Sequence, residues 1–172
     1  MIKITKIRDE YVFPIFKNGY TSIRNHADQN RCRWFINEQC RRADTITVII
    51  REPRQRYISG VHTVVELLRR KHKNIDHETV VTLIENYNFS NEHFQPQWAW
   101  MLRLKEYFSG NIKLEGMVHL DHLTGLHDGP FIPEMTNAQR KILEAMTPPD
   151  LSNDYKLYRQ IGTTGSIADV LS

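Results

Sequence analysis

The segment Thr45-Ile46-Thr47-Val48-Ile49-Ile50 constrains the fold more than any other part of the chain. Six consecutive β-branched residues lose side-chain freedom in a helix and fit a pleated strand. No charged residue interrupts them, so both faces of the strand need cover, as in a central parallel strand flanked by helices. A helix start follows at Arg51-Glu52-Pro53, with proline in the first turn. Tyr57, Ile58, Val61, Val64, Val65 and Leu68 then recur at helical spacing and make one apolar face. The basic run Arg69 to Lys73 suits that helix's C-terminus.

The rest of the chain repeats this alternation. Tyr11 to Phe16 reads as a buried strand that ends at the turn Lys17-Asn18-Gly19, with a helix from Thr21 to about Asn30. Trp34 to Ile36 is a short strand candidate. Asp76 caps a predicted helix through Asn86, and Pro96 opens another that Gly110 ends. Met117 to Leu120 reads as a weaker strand. Thr136 and Gln139 have capping-box spacing ahead of a helix to Met146, and Asn153 to Gln160 reads as the last helix. The expectation is an α/β fold: a three-layer sandwich with a central, mostly parallel sheet, in one domain over residues 1–172 with a loosely ordered tail from about residue 162.

Composition excludes several classes. The chain has 172 residues, and its 7 Phe, 7 Tyr and 3 Trp exclude a mainly disordered state. No apolar stretch approaches the roughly 20 residues of a membrane span, and Met1 to Glu10 lacks the apolar centre of a signal peptide, so a cytoplasmic protein with no membrane partner is expected. A net charge of +3 permits an anionic ligand without demanding nucleic acid. Cys32 and Cys40 read as ordinary thiols. His119, Asp121, His122, His127 and Asp128 lack a tight ligand spacing, so no metal is expected.

In α/β folds ligands bind at the carboxyl ends of the strands, and two such ends carry suitable chemistry. At the first, Lys17-Asn18-Gly19-Tyr20-Thr21-Ser22 joins a strand to a helix N-terminus, whose amides and dipole favour an anion. Lys17 adds a charge, and Thr21 and Ser22 add hydroxyl donors. It is not a GxxxxGK[ST] loop, and an ordinary capped strand–turn–helix has the same composition. At the second, Arg51 ends the central strand and Ser59 lies in the following helix, a pair able to clamp one phosphate. Arg54 and Arg56 read as a solvated helix start, although arginines there oppose the helix dipole and so hint at an anion.

These segments resemble the sulfotransferases that use 3′-phosphoadenosine 5′-phosphosulfate (PAPS), most of all the carbohydrate sulfotransferase branch. Phe13-Pro14-Ile15-Phe16-Lys17-Asn18-Gly19-Tyr20-Thr21-Ser22 is similar to the family's 5′-phosphosulfate loop, and Arg51-Glu52-Pro53-Arg54-Gln55-Arg56-Tyr57-Ile58-Ser59 to its 3′-phosphate motif. Glu92-His93-Phe94-Gln95-Pro96-Gln97 and Asp154-Tyr155-Lys156-Leu157-Tyr158 resemble two further segments of the carbohydrate branch, in family order. The chain departs from the family in its short length, its compressed link between the phosphate motifs, and Tyr20, which stands where small or varied residues are usual.

The resemblance implies a P-loop-like nucleotide-binding topology and sulfuryl transfer from PAPS to an acceptor hydroxyl, on a small molecule or a glycan, leaving adenosine 3′,5′-bisphosphate. It implies that Lys17 stabilises the leaving phosphate, that residues 17 to 22 hold the 5′-phosphosulfate, that Arg51 and Ser59 hold the 3′-phosphate, and that no metal takes part. For the general base it points to Glu38, after the Trp34–Ile36 strand, then to His93 and His26. Two other classes remain open on the residues: a noncatalytic nucleotide-binding protein, and a nucleic-acid module using Arg31, Arg33, Arg41, Arg42 and the 69–73 run. The modest net charge and the lack of a nucleic-acid motif weigh against the last.

Overall fold

The computed structural model describes residues 3–15, 17–29, 34–36, 43–72, 75–86, 92–125, 136–146 and 150–172. In chain order the elements are β1 (Lys3–Ile7), β2 (Glu10–Phe13), α1 (Tyr20–Gln29), β3 (Trp34–Ile36), β4 (Thr45–Ile49), α2 (Pro53–Lys71), α3 (His77–Asn86), α4 (Gln97–Lys105), β5 (Asn111–Glu115), α5 (Met117–Thr124), α6 (Asn137–Ala145), α7 (Ser152–Arg159), β6 (Thr164–Ser166) and α8 (Ile167–Val170).

The strands form one α/β sheet in the order β3-β1-β2-β4-β5-β6. Its centre is parallel: β4 pairs with β2 and β5, with Val12 opposite Thr47 and Val48 opposite Leu114. The flanks are antiparallel, β1 with β2 and β3, and β6 with β5. The expected mostly parallel sheet therefore holds for the centre only. As the β-branched run requires, β4 is covered on both faces. Ile46, Val48 and Ile50 pack with Phe13, Ile112 and Leu114 under Trp100, Met101 and Leu104 of α4 and Leu157 of α7. On the opposite face Ile49 and Val12 meet Ile23 of α1 and Leu120 and Leu123 of α5.

The apolar stripe of α2 is where its spacing put it, but Tyr57, Val61, Val64 and Val65 pack against Val80 and Ile84 of α3 and Ile142 of α6 in a cluster without strand residues. Both local caps form. Asp76 Oδ1 accepts the Thr79 N–H at 2.8 Å, and Thr136 and Gln139 exchange both capping-box bonds.

Three expectations are corrected. Met117 to Leu120 is the start of α5, and the strand lies just before it. In Asn111–Glu115 only Ile112 and Leu114 are fully buried, and the alternating polar residues hide the strand's signal. The predicted order omits β1, where Ile4, Thr5 and Ile7 are buried and Lys6 is exposed, so neither a continuous apolar run nor strict alternation marks the strand. The tail is not loose: Thr164–Ser166 pairs with β5, and Ile167 and Val170 enter the core.

Candidate functional site

The site is built from two strand-to-helix junctions on neighbouring parallel strands. In the first, β2 runs into a turn closed by Asn18 N–H donating to Ile15 O at 3.0 Å. Lys17 (φ 68°) and Gly19 (φ 77°) both take the left-handed backbone. For lysine this costs on the order of 1 kcal/mol or more, and such strain gathers at functional sites. Gly19 is required twice over, by its φ and because a β-carbon there would run into the Leu120 side chain. The first helical bond of α1 is Ile23 N–H to Gly19 O, 2.9 Å. Gly19 thus stands at the cap with no side chain to offer, and the amides of residues 20 to 22 belong to the first turn, which has no intrahelical acceptors. Thr21 is exposed, Tyr20 half-buried and Ser22 buried.

In the second junction β4 leads through Ile50 and Arg51 into α2. Here the cap is a carboxylate: Glu52 accepts the amides of Arg54 (3.2 Å) and Gln55 (2.6 Å) and the Tyr155 hydroxyl (2.7 Å). Despite burial, these bonds hold its carboxyl below the ordinary value.

The junctions meet through side chains. Arg51 Nη1 donates to Lys17 O at 3.1 Å. Lys17 Nζ donates to Thr63 Oγ1 at 2.7 Å, and that hydroxyl donates to Ser59 O at 3.0 Å. The ammonium expected at the 5′ loop therefore lies against α2, on the face that carries the buried Ser59. Asn18 is fully buried, and its side chain faces inward, donating to Ile49 O at 2.7 Å and to Gln97 Oε1.

Arg56 corrects the sequence reading. It is 2 % exposed and belongs to the cation cluster, not to a solvated helix start. Its signal was present: Pro53, Arg56, Gly60 and Val64 share a buried stripe at helical spacing. Burial pulls the Arg56 guanidinium down to about 10 even though Asp154 favours its charge, with Arg51 adding repulsion. Burial, then Arg51 and Arg56, hold the Lys17 ammonium below its ordinary value, and burial does the same to Arg51 against the pull of Glu52.

The two carboxylates that favour these guanidiniums are already engaged with helix amides. Glu52 caps α2, and Asp154, itself 1 % exposed, accepts Gln97 N–H at 2.9 Å and Trp98 N–H at 2.8 Å at the start of α4. Burial raises the Asp154 carboxyl against those bonds. Two buried guanidiniums and the half-buried Lys17 ammonium, against two carboxylates that also cap helices, leave a net positive charge at the carboxyl ends of β2 and β4.

His93 joins this cluster. Its backbone carbonyl lies so close to α2 that residue 60 has no room for a β-carbon, which explains Gly60. Burial, then the positive charge of Lys17 and Arg56, hold the imidazole below its ordinary value. His26 sits in the last turn of α1. Glu38 lies outside the described residues, as do Cys32, Cys40 and His127.

Beside Arg51 a cavity of about 540 Å³ opens at the ends of β4 and β5. Ile50, Met117, Tyr158 and Ile161 give it apolar walls, and Glu115 and His119 a polar edge. His119 is held by Glu10 Oε2 at 3.0 Å, which also accepts the Thr47 hydroxyl at 2.7 Å. Among the described residues no three potential ligands gather as a metal site, and no helix is long and apolar enough to cross a membrane.

Of the residues singled out in the sequence, Lys17, Arg51, Ser59 and His93 come together with the loop from Asn18 to Ser22. Arg56, Thr63 and Asp154 complete the set. Comparison with family models, curated proteins and solved structures finds no match.

Proposed function

We propose that this chain is a sulfotransferase that moves the sulfuryl group of PAPS to an acceptor hydroxyl and releases adenosine 3′,5′-bisphosphate. The observation that carries the reading is the convergence of Lys17, Arg51 and Arg56 at two adjacent strand ends, with their carboxylates committed to helix caps. Such a patch favours an anionic, phosphate-bearing ligand. The pairing of a β2–loop–α1 unit with a parallel β4–α2 unit supports a P-loop-like nucleotide-binding topology. In this reading the amides of residues 19 to 22 take the 5′-phosphate, Arg51 and Ser59 take the 3′-phosphate, and the adjoining cavity, in the usual size range of ligand sites, takes the base.

The chemistry needs little beyond positioning and charge. The acceptor oxygen attacks sulfur, the bond from sulfur to the bridging phosphate oxygen breaks, and the acceptor proton passes to a base. Lys17 stabilises charge building on the leaving phosphate. For the base, Glu38 is the first candidate and His93, which lies beside Lys17 and Arg56, the second. The acceptor is a hydroxyl of a small molecule or a carbohydrate.

The test is release of adenosine 3′,5′-bisphosphate from PAPS across a panel of sugar and small-molecule alcohols. Lys17→Ala is expected to lower turnover more than it weakens product binding. Loss of the base is expected to lower turnover roughly 10²–10⁴-fold with nucleotide affinity kept. His93→Ala and Glu38→Gln, assayed side by side, identify which residue it is. Tight binding of the bisphosphate without transfer to any acceptor would instead favour a noncatalytic nucleotide-binding protein.

A further inference from the structure

Gln97 is fully buried at the first residue of α4, and its side-chain amide bonds to both junctions as well as to Asp154. Oε1 accepts Arg51 N–H at 2.9 Å and also accepts from Asn18 Nδ2. Nε2 donates to Arg51 O at 2.9 Å. One amide therefore holds both backbone groups of Arg51 together with the side chain of the residue after Lys17. The amide is itself anchored from behind, because Asp154 fixes the Gln97 and Trp98 N–H groups. An apolar side chain of the same length would fill the space but could not tie the loop to the strand end.

We propose that Gln97 is a positioning residue that sets the separation of the loop around Lys17 from Arg51, so that two phosphate sites act as one. The proposal rests on the nucleotide reading above. Two contacts on a fixed span raise the effective concentration of the second phosphate once the first is bound, and a slack span loses that gain without removing either contact.

The experiment is calorimetric titration with adenosine 3′,5′-bisphosphate, 5′-AMP and adenosine 3′-monophosphate. The proteins are wild type, Gln97→Met, Asn18→Ala and a control, Val170→Ala, which weakens the core at α8. Gln97→Met is expected to lower bisphosphate affinity about tenfold or more while each monophosphate changes less than about threefold, the scale set by one or two buried hydrogen bonds. Asn18→Ala, which cuts the loop from Gln97 and leaves the Arg51 bonds, moves the ratio in the same direction by less. Val170→Ala lowers stability and leaves the ratio unchanged.

An unchanged ratio in both site variants, or all three nucleotides weakening together, overturns the proposal and makes Gln97 merely structural. If Gln97→Met does not fold, Asn18→Ala decides. A wild-type protein that binds the bisphosphate no better than the monophosphates overturns the nucleotide reading itself and this proposal with it, a result visible without any variant.

Discussion

The two junctions that form the site are alike in topology and opposite in chemistry. Each carries a parallel strand into a helix. The first places Gly19 at the helix cap, two left-handed residues before the helix and no acidic residue in the first turn of α1. The second places Glu52 at the cap, so that the first amides of α2 are taken by its carboxylate, and buries two guanidiniums instead. A helix N-terminus can leave its amides to an anion or spend them on its own cap; α2 does the second through Glu52, whereas Gly19 gives α1 no capping side chain. The first junction then depends on backbone conformation, the second on charged side chains and their counterions.

That contrast predicts how each junction breaks. The largest effect on stability is expected at the second, from Arg56→Met. It removes the guanidinium and leaves Asp154 buried without its charge partner, a loss of about 3 kcal/mol by the scale of broken buried pairs. The Asp154 carboxyl is raised in the folded protein. A raised acid costs stability as pH climbs from its unfolded value, about 3.9, through its folded one. Without Arg56 that cost grows, so denaturant melts should find the variant's deficit smaller in acid and larger toward neutral pH. A pH-independent deficit would count against the Asp154–Arg56 coupling.

Next comes Gly19→Ala. The left-handed φ and the overlap with Leu120 together are expected to cost about 2 kcal/mol, and the distorted loop should lose 5′-AMP binding while keeping adenosine 3′-monophosphate. Equal loss of both nucleotides would erase the distinction between the junctions.

The smallest effect is expected from Glu52→Ala, about 1 kcal/mol for a lost cap. The Glu52 carboxyl is held below its ordinary value, against burial, by the Gln55 amide, the Tyr155 hydroxyl and the Arg54 amide. A depressed acid contributes stability above its unfolded value, about 4.3, and loses it as pH falls through the folded one. The gap between wild type and Glu52→Ala should therefore close below about pH 4. A gap that persists in acid would mean that the carboxylate is not what caps α2.

Sequence reasoning found what local chemistry dictates. The β-branched run is β4, the spaced apolar residues are the buried stripe of α2, and Thr136 with Gln139 makes its capping box. It missed β1 and misplaced β5, because Lys3–Ile7 shows neither an apolar run nor strict alternation, Asn111–Glu115 sets polar residues between Ile112 and Leu114, and only their pairing partners reveal them as strands. At the site, Lys17, Arg51 and Ser59 were legible from their positions at strand ends. Arg56 was read with Arg54 as part of a basic helix start, although it shares the buried stripe of Pro53, Gly60 and Val64. Its burial depends on Asp154, 98 residues away along the chain. Gln97 and Thr63 were out of reach for the same reason, since each acts through partners that only the fold brings near.

The central claim is that two unlike junctions read two phosphates of one nucleotide. The measurement closest to it is the ratio of dissociation constants for adenosine 3′,5′-bisphosphate and 5′-AMP, taken on wild type and on Arg51→Met. A charge-assisted clamp of roughly 1.5–3 kcal/mol per bond corresponds to a preference for the bisphosphate of about tenfold to a hundredfold. The account predicts that preference in wild type and its collapse in Arg51→Met, with 5′-AMP bound about equally by both proteins. Equal affinity of wild type for the two nucleotides, or a preference that survives without Arg51, would contradict it.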